Sequence, residues 1–159
     1  MSDVDALFRD AMAALVSGVA AVTTRRDDGE PCGLVATSIS SFSAAPPSVL
    51  VSIGHVSRCH TALIECERFG VHLLSAGQEA EARRFASLDE DKFAGADWSW
   101  DEDVPALAGA TVYLRCRRSA LFELYDHSIL IGDVIAGQRT EAEPLVYMGR
   151  RMDWRLTTS

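Results

Sequence analysis

The sequence has almost no lysine and no long apolar run. Lys92 is the one lysine among 15 basic residues, and the other fourteen are arginines. Against 23 acidic residues this gives a net charge of −8 and a pI near 4.9, so long-range forces repel nucleic acid and anionic lipid. No stretch approaches the roughly 18 apolar residues of a membrane span. An anionic ligand would need a local basic pocket, and the planar fork of arginine suits that task.

Signals for export and for metal binding by cysteine are also missing. Residues 1–5 carry acids where a signal peptide needs positive charge, so we expect a cytoplasmic protein with reduced thiols. The four cysteines are Cys32, Cys59, Cys66 and Cys116. Their spacing contains no CxxC pair, which argues against structural zinc and against a redox dithiol. His55 and His60 with Cys59 also lack metal-ligand spacing, so no metal site is expected.

The familiar nucleotide-binding and hydrolytic motifs are absent as well. The chain has no GxGxxG after its first expected strand and no GxxxxGK[ST], so any nucleotide is bound without those loops. It also has no GxSxG, and the order of its residues assembles no Ser-His-Asp grouping. The sequence therefore does not indicate nucleophilic catalysis.

Hydrophobic patterning predicts one mainly β domain over 1–159, because 159 residues suffice for a single core. Helical spacing predicts an opening helix over 4–15 that Gly18 ends, a short helix capped by Ser57, and a helix over 78–86. Extended segments are expected at 19–24, 33–39, 49–53, 69–75, 111–118, 120–125, 128–136 and 145–148. The first two form a hairpin, while 40–48, with Pro46 and Pro47, reads as a loop and 87–105 as a surface excursion. Such short, sparse helices favour an antiparallel, closed or nearly closed sheet over a Rossmann domain.

Three segments carry groups that could bind a ligand. Residues 36–43 place five hydroxyls in eight positions, which fits either a polar turn or a wall that hydrogen-bonds a planar heterocycle. Residues 57–61 lie at an expected helix start, where free N–H groups favour an anion, and Arg83-Arg84-Phe85 could add charge there. A capped helix and a solvated basic pair would explain the same residues. His127 stands at a turn between two apolar strands, and Gly132-Asp133 suggests a β-bulge.

Together these segments resemble the flavin reductase family with the FMN-binding split-barrel fold, the reductase components of two-component flavin monooxygenases. The matching segments are 18–24, 33–43, 46–47, 69–75 with Gln78, 82–86, 92–93, 126–127, 131–134 and 144–147. The resemblance covers nearly the whole chain. It implies an antiparallel split β-barrel with a few short helices that binds FMN or FAD and accepts hydride from NADH or NADPH. It also implies a homodimer and an oxygenase partner.

The same resemblance assigns roles to individual residues. Those implied to contact the flavin ring system are Thr37, Ser38, Ile39, Ser40, Ser52 and Ile53. Those implied to hold its phosphate are Ser57, Arg58, Thr61 and Arg84, with Phe85 close by. His127 falls where the family's Gly-Asp-His motif places a histidine associated with nicotinamide binding.

One departure bears on this expectation, because Tyr125 replaces the glycine of that motif. A tyrosine there could stack on a ring or partly occlude the nicotinamide site. Two rival interpretations therefore stay open. One is a non-catalytic or sensory flavin-binding split barrel, and the other is an oxidase of the pyridoxamine-phosphate type.

Overall fold

A computed structural model describes residues 2–158 and shows a mainly β, antiparallel architecture, as predicted. The helices of this part are α1 (Asp3–Ala14), α2 (His60–Glu65) and α3 (Glu79–Ala86). Its first strands are β1 (Ser17–Gly18), β2 (Ala20–Arg25), β3 (Pro31–Ala36), β4 (Ile39–Ala44), β5 (Pro47–Gly54) and β6 (Arg68–Leu73). The remaining strands are β7 (Trp98–Asp101), β8 (Val104–Leu107), β9 (Val112–Leu124), β10 (His127–Arg139), β11 (Val146–Met148) and β12 (Arg151–Trp154). None of these helices is long and apolar enough to span a membrane.

The main sheet has seven strands in the order β3-β2-β6-β9-β10-β5-β4, and every pairing is antiparallel. Leu34 near one end of this order and Val51 near the other belong to the same buried cluster. Residues from both ends can share one core only if the sheet curls on itself. A second cluster packs Phe85 of α3 against Phe93 and Leu145, so α3 covers a separate part of the sheet.

The opening helix and the first hairpin follow the sequence prediction. Ser2 and Asp5 form a capping box, in which Ser2 Oγ accepts from Asp5 N at 3.2 Å and the Asp5 carboxylate accepts from Ser2 N at 2.8 Å. The helix ends at Ala14, before the expected stop at Gly18, because Gly18 pairs with Val146 of β11. Strands β2 and β3 form the predicted hairpin.

The prediction of a loop over 40–48 is wrong, because β4 and β5 form a hairpin across most of this segment. Strand β4 is an edge strand and most of its side chains are exposed. Its sequence therefore lacks the alternation of apolar and polar residues that marks a half-buried strand. Pro46 follows a cis peptide bond in the turn, and Pro47 is the first residue of β5. A proline at that position removes little from the ladder.

The two segments predicted at 111–118 and 120–125 are one strand, β9, which pairs with β10 along its length. A bulge lies beside Gly132, but its extra residue is Ser119 of β9 and not Gly132 or Asp133 as predicted: Ile131 pairs with Ala120, and Gly132 pairs with Arg118. A Cβ on Gly132 would lie 2.6 Å from Cε1 of Phe69 and 2.9 Å from Cβ of Cys116. Only glycine therefore lets the two strands and the Phe69 ring pack this closely.

The surface excursion predicted over 87–105 contains a hairpin, β7–β8, which is fastened to the main sheet. Thr23 Oγ1 donates to Pro105 O at 2.7 Å. His72 is fully buried and stacks on Tyr113 with ring centroids 4.8 Å apart. Leu107 N donates to His72 Nε2 at 3.0 Å, and Nδ1 lies 3.2 Å from Ala21 O. These contacts require a neutral imidazole with its proton on Nδ1.

We expect the protein to lose stability as the pH falls from about 6.5 towards 4, because burial lowers the pKa of His72 to about 4. In this window His72 binds a proton in the unfolded chain but not in the folded one, so unfolding is favoured as protons are added. The loss should approach about 1.4 kcal/mol per pH unit and total about 3 kcal/mol. Urea denaturation at several pH values measures it.

His72→Gln is the comparison variant for this measurement. The carboxylates of Asp5, Asp126 and Asp153 have pKa values held below their ordinary range by hydrogen bonds to Ser2, His127 and Arg151, so they titrate below the window. The variant should be less stable at pH 7 but should show a shallower slope between pH 6.5 and 4. Equal slopes in both proteins would contradict the assignment to His72.

Candidate functional site

The hydroxyl-rich segment lies where β3 ends and β4 begins, and it is fixed on the neighbouring β5. Ser38 Oγ donates to Ser52 O at 2.9 Å, and Ser52 N donates to Ser38 O at 3.1 Å. Thr37, Ser38 and Ser40 are exposed. The structure thus brings the sequence-predicted residues of 37–40 and Ser52 together on one exposed surface, where hydroxyls and peptide groups can meet a polar ligand.

Two of the predicted contact residues have side chains that cannot reach a ligand on that surface. Ile53 is fully buried in the core of the curled sheet, so only its backbone is available. Phe85 is 1% exposed and packs edge to face on Phe93, with ring centroids 5.1 Å apart. Both side chains belong to the buried clusters beneath the surface.

His127 lies beside this surface, because it is the first residue of β10 and pairs with Gly54 at the end of β5. Its Nδ1 lies 2.7 Å from the Asp126 carboxylate, and its side chain is half exposed. The hydrogen bond to His127 also lowers the pKa of Asp126. Asp126 therefore stays ionised and orients the imidazole, whose Nε2 remains available.

The backbone at Tyr125 explains why a glycine suits this position. Tyr125 has φ of 57°, which lies in the left-handed region that glycine adopts without a steric penalty. Its side chain is 90% exposed. Within one chain, therefore, the tyrosine ring covers neither His127 nor the hydroxyl-rich surface.

Ser57, Arg58 and Thr61 follow β5, but Ser57 does not cap the helix as predicted. Helix α2 begins at His60, and Cys59 precedes it as the cap residue. Ser57 Oγ instead accepts from Cys59 N at 3.2 Å, which forms a tight turn before the helix. The extra turn lets Arg58 and Thr61 both line one surface depression.

A basic cavity lies next to that turn, between β3, α2 and the segment after α3. It is lined by three cations, Arg26, Arg58 and Lys92. Two carboxylates, Asp89 and Glu90, also line it, and Glu90 lies 4.0 Å from Arg58. Three cations around one cavity concentrate positive charge locally in an acidic chain. The cavity itself, at about 10 Å³, has room for about one water molecule, so an anion would bind at its mouth, in the wider depression that Arg26 and Arg58 also line. The sequence did not predict Arg26 as a site residue, because this arginine lies in no recognisable motif, and it assigned no role to Lys92.

Arg84 is not among the residues that line this cavity. It lies on α3, where its Nη1 is buried without a hydrogen-bond partner. The same helix touches the cavity indirectly, because Lys92 Nζ donates to Phe85 O at 2.8 Å. The structure therefore brings Arg58 together with Arg26 and Lys92 at this cavity, and with Arg26 and Thr61 at the neighbouring depression. Arg84 lines neither of them.

The described residues near this surface provide no obvious nucleophile. Burial raises the pKa of the Cys66 thiol to about 11 and that of Cys116 to about 12, and contact with Cys32 followed by burial also raises the pKa of Cys59. These thiols stay protonated near neutral pH. Ser128 Oγ lies 2.8 Å from His60 Nε2, but Ser128 is fully buried. Cys32 differs, because its contact with Cys59 lowers its pKa, but its side chain is 2% exposed. Among the described residues, therefore, these cysteines and Ser128 are too buried or too weakly acidic to attack a ligand on the surface.

The family model of the flavin reductase like domain matches residues 12–154, and the chain belongs to this family. An FMN reductase (NADH), SmoA, of Agrobacterium fabrum is 36% identical over 143 residues, which cover 89% of this chain and 81% of SmoA.

Solved structures show the same fold. The NADH:FAD oxidoreductase SgcE6 of Streptomyces globisporus, in complex with NAD and FAD fragments, has a TM-score of 0.90 at 35% identity, covering 96% of this chain and 93% of that one. The styrene monooxygenase flavin reductase of Pseudomonas putida has a TM-score of 0.82 at 30% identity, covering 91% and 94%. The split-barrel expectation is confirmed.

Proposed function

We propose that this protein is an NADH-dependent flavin reductase that takes FMN or FAD as its flavin. The observation that carries the proposal is the adjacency of three features: the exposed hydroxyls of 37–40, the His127 imidazole, and the cavity lined by Arg26, Arg58 and Lys92. Membership of the flavin reductase family and the names of the relatives support the same reaction.

The residues present fit a flavin nucleotide. Backbone and hydroxyl groups of Thr37, Ser38 and Ser52 offer hydrogen bonds to the edge of a planar heterocycle, and the cations of the basic cavity suit its phosphate. When bound, the flavin supplies the redox chemistry by accepting a hydride from the nicotinamide. The protein needs to align the two rings and to place hydrogen-bond donors where negative charge accumulates. The absence of an accessible nucleophile is consistent with this division of labour.

We assign His127 to positioning the nicotinamide nucleotide. Asp126 accepts from its Nδ1 and keeps the ring in one orientation, so Nε2, which lies over Gly54, is the ring nitrogen left for a ligand. The ring is held in place by the pairing of His127 with Gly54. It therefore stands beside the hydroxyl-rich surface without being part of it.

We further infer that reduced flavin passes to an oxygenase partner, which the name of the styrene monooxygenase reductase supports.

The family match to residues 12–154 and one sheet drawn from both halves of the chain support a single domain over 1–159. Cys32, Cys59, Cys66 and Cys116 are all free. Free thiols favour a reducing compartment, and we place the protein in the cytoplasm.

Anaerobic stopped-flow absorbance tests the reaction, with FMN or FAD and with NADH or NADPH in turn. We expect protein-dependent bleaching of the flavin with NADH. His127→Ala should raise the KM for NADH about three- to tenfold, the cost of one hydrogen bond, while kcat at saturating NADH changes less. His127→Gln keeps a donor and should recover part of the loss.

The same experiment separates the rival functions. Flavin that binds without being bleached by either nicotinamide would contradict the reductase and favour a sensory flavin-binding protein. Oxidation of pyridoxamine phosphate by the protein would favour the oxidase. An unchanged KM in His127→Ala would overturn the role of His127 and leave the reductase standing.

The basic cavity makes a separate prediction about which flavins bind. Arg58→Ala should weaken binding of FMN about three- to tenfold, because a charge-assisted contact with the phosphate is lost while half of this side chain is already exposed. Riboflavin has no phosphate and should bind both proteins equally. Fluorescence titration measures both ligands.

Arg139→Ala is the matched control for this titration, because Arg139 is an exposed arginine at the far end of β10. It should bind FMN as the wild type does. Equal weakening of riboflavin and FMN in Arg58→Ala would place the phosphate elsewhere.

We also propose a homodimer that uses the apolar face of α1. None of the α1 residues is buried, and Val4, Leu7 and Phe8 are 63–72% exposed. An amphipathic helix normally buries such a face. Phe8 and Met12 line the same groove as Thr37, so a second copy seated on α1 would border the hydroxyl-rich surface.

Sedimentation velocity at micromolar concentration tests this arrangement. The wild type should sediment as a dimer, and Phe8→Glu should shift it towards monomer because a charge would be buried in the interface. Val56→Glu is the control, since Val56 is 99% exposed and lies outside α1. A monomeric wild type, or a dimer that Phe8→Glu leaves intact, would contradict the proposal.

A further inference from the structure

The turn after β5, the start of α2 and strand β9 bring three metal-binding side chains together at the surface. One ligand atom from each of His55, His60 and Glu123 lies within 4.8 Å of those of the other two. The two imidazole rings meet edge to face, with centroids 4.8 Å apart and planes at 61°. His55 and His60 are close in the sequence, whereas Glu123 lies far along the chain and is brought to them by the fold.

The central ligand of this group is already held in place. His60 Nε2 lies 2.8 Å from Ser128 Oγ, and Ser128 is fully buried. When Nε2 carries the proton, the ring donates to this hydroxyl and its Nδ1 lone pair is free to bind an ion. A hydrogen bond from the second ring nitrogen is the usual means of orienting a metal-binding histidine. Ser128 pairs with Glu123 across the β9–β10 ladder, so the same register places the carboxylate.

We propose that His55, His60 and Glu123 form a binding site for a divalent transition-metal ion such as Zn²⁺. Two imidazoles and one carboxylate suit such ions, whereas Mg²⁺ and Ca²⁺ prefer oxygen ligands. Bonds of about 2.0–2.1 Å require ligand atoms about 3.3 Å apart. His55 and Glu123 are exposed and can turn inwards to reach that spacing while His60 stays fixed. Three protein ligands leave a tetrahedral ion one open position.

The site is distinct from the residues proposed to hold the flavin and the nicotinamide. His55 N donates to Asp126 O at 2.8 Å, so the ion would lie beside the turn that carries His127. It would tie the end of β5 to β9 and α2 without using His127 or the hydroxyl-rich surface. The inference therefore does not depend on the proposed function, and its test needs neither flavin nor NADH.

Calorimetric titration of the metal-free full chain with Zn²⁺ tests the proposal. We expect one ion per chain, and binding at least about tenfold weaker in His55→Ala and in Glu123→Gln. Both residues are exposed, so these variants should fold. The controls are His127→Ala, a nearby histidine outside the group, and Glu65→Gln, an exposed carboxylate at the end of α2. Each should bind Zn²⁺ as the wild type does.

A crystal grown with Zn²⁺ gives a second readout, since anomalous scattering at the zinc edge should place the ion between the three side chains. A dissociation constant weaker than about 100 μM would overturn the proposal. Binding that His55→Ala and Glu123→Gln leave unchanged, or that His127→Ala weakens equally, would also overturn it, because the ion would then lie elsewhere.

Discussion

The backbone pairing of β5 with β10 holds the candidate site together. Its ladder runs from Ser48↔Asp133 to Gly54↔His127, and the hydroxyl-rich surface, the turn with Arg58 and His127 are all attached to it. Ser38 is hydrogen-bonded to Ser52 of β5, the turn with Arg58 follows β5, and His127 starts β10. A slip of one residue in this ladder would put the side chains of β10, His127 included, on the face of the sheet opposite to the one they now occupy relative to β5. The buried residues that fix the register therefore control the site without touching it.

Gly132 shows how tightly that register is specified. The Phe69 ring occupies the space that a Cβ on Gly132 would need, and the bulge beside Gly132 keeps β9 and β10 paired on both sides of the irregularity. A close-packed interior of this kind does not deform gradually. The exposed end of the β5–β10 ladder can therefore carry polar groups in fixed positions, even though those groups themselves are hydrated.

Positive charge is concentrated in one part of the molecule, although the net charge of the chain is negative. The chain carries a charge of −8, yet Arg26, Arg58 and Lys92 face one cavity. Burial of Lys92 lowers its pKa, because partial removal of the charged ammonium group from water is unfavourable. Neighbouring Asp89 and Glu90 line the same cavity, so an anion bound at its mouth would meet positive charge that is concentrated but partly balanced.

Short-range patterns alone were enough to predict helix α1, the β2–β3 hairpin and helix α3, because each depends on residues close in sequence. The hydroxyls of 37–40 and His127 were also proposed as site residues from the sequence, through motif order. Strand β4 was missed because an edge strand exposed on both faces has no apolar alternation. Strands β1 and β12 were missed because they are only two and four residues long and form by pairing with β11.

By itself, then, the sequence determined the mainly antiparallel β class and the family, and it supplied the candidate residues for a flavin nucleotide as a prediction. Only the tertiary structure decided that Arg26 and Lys92 share a cavity with Arg58, that Ile53 and Phe85 point into the core, and that Glu123 lies beside His55 and His60. The physical reason is the same in each case. Local spacing sets how a segment folds, but the curl of the sheet and its strand register decide which distant side chains meet.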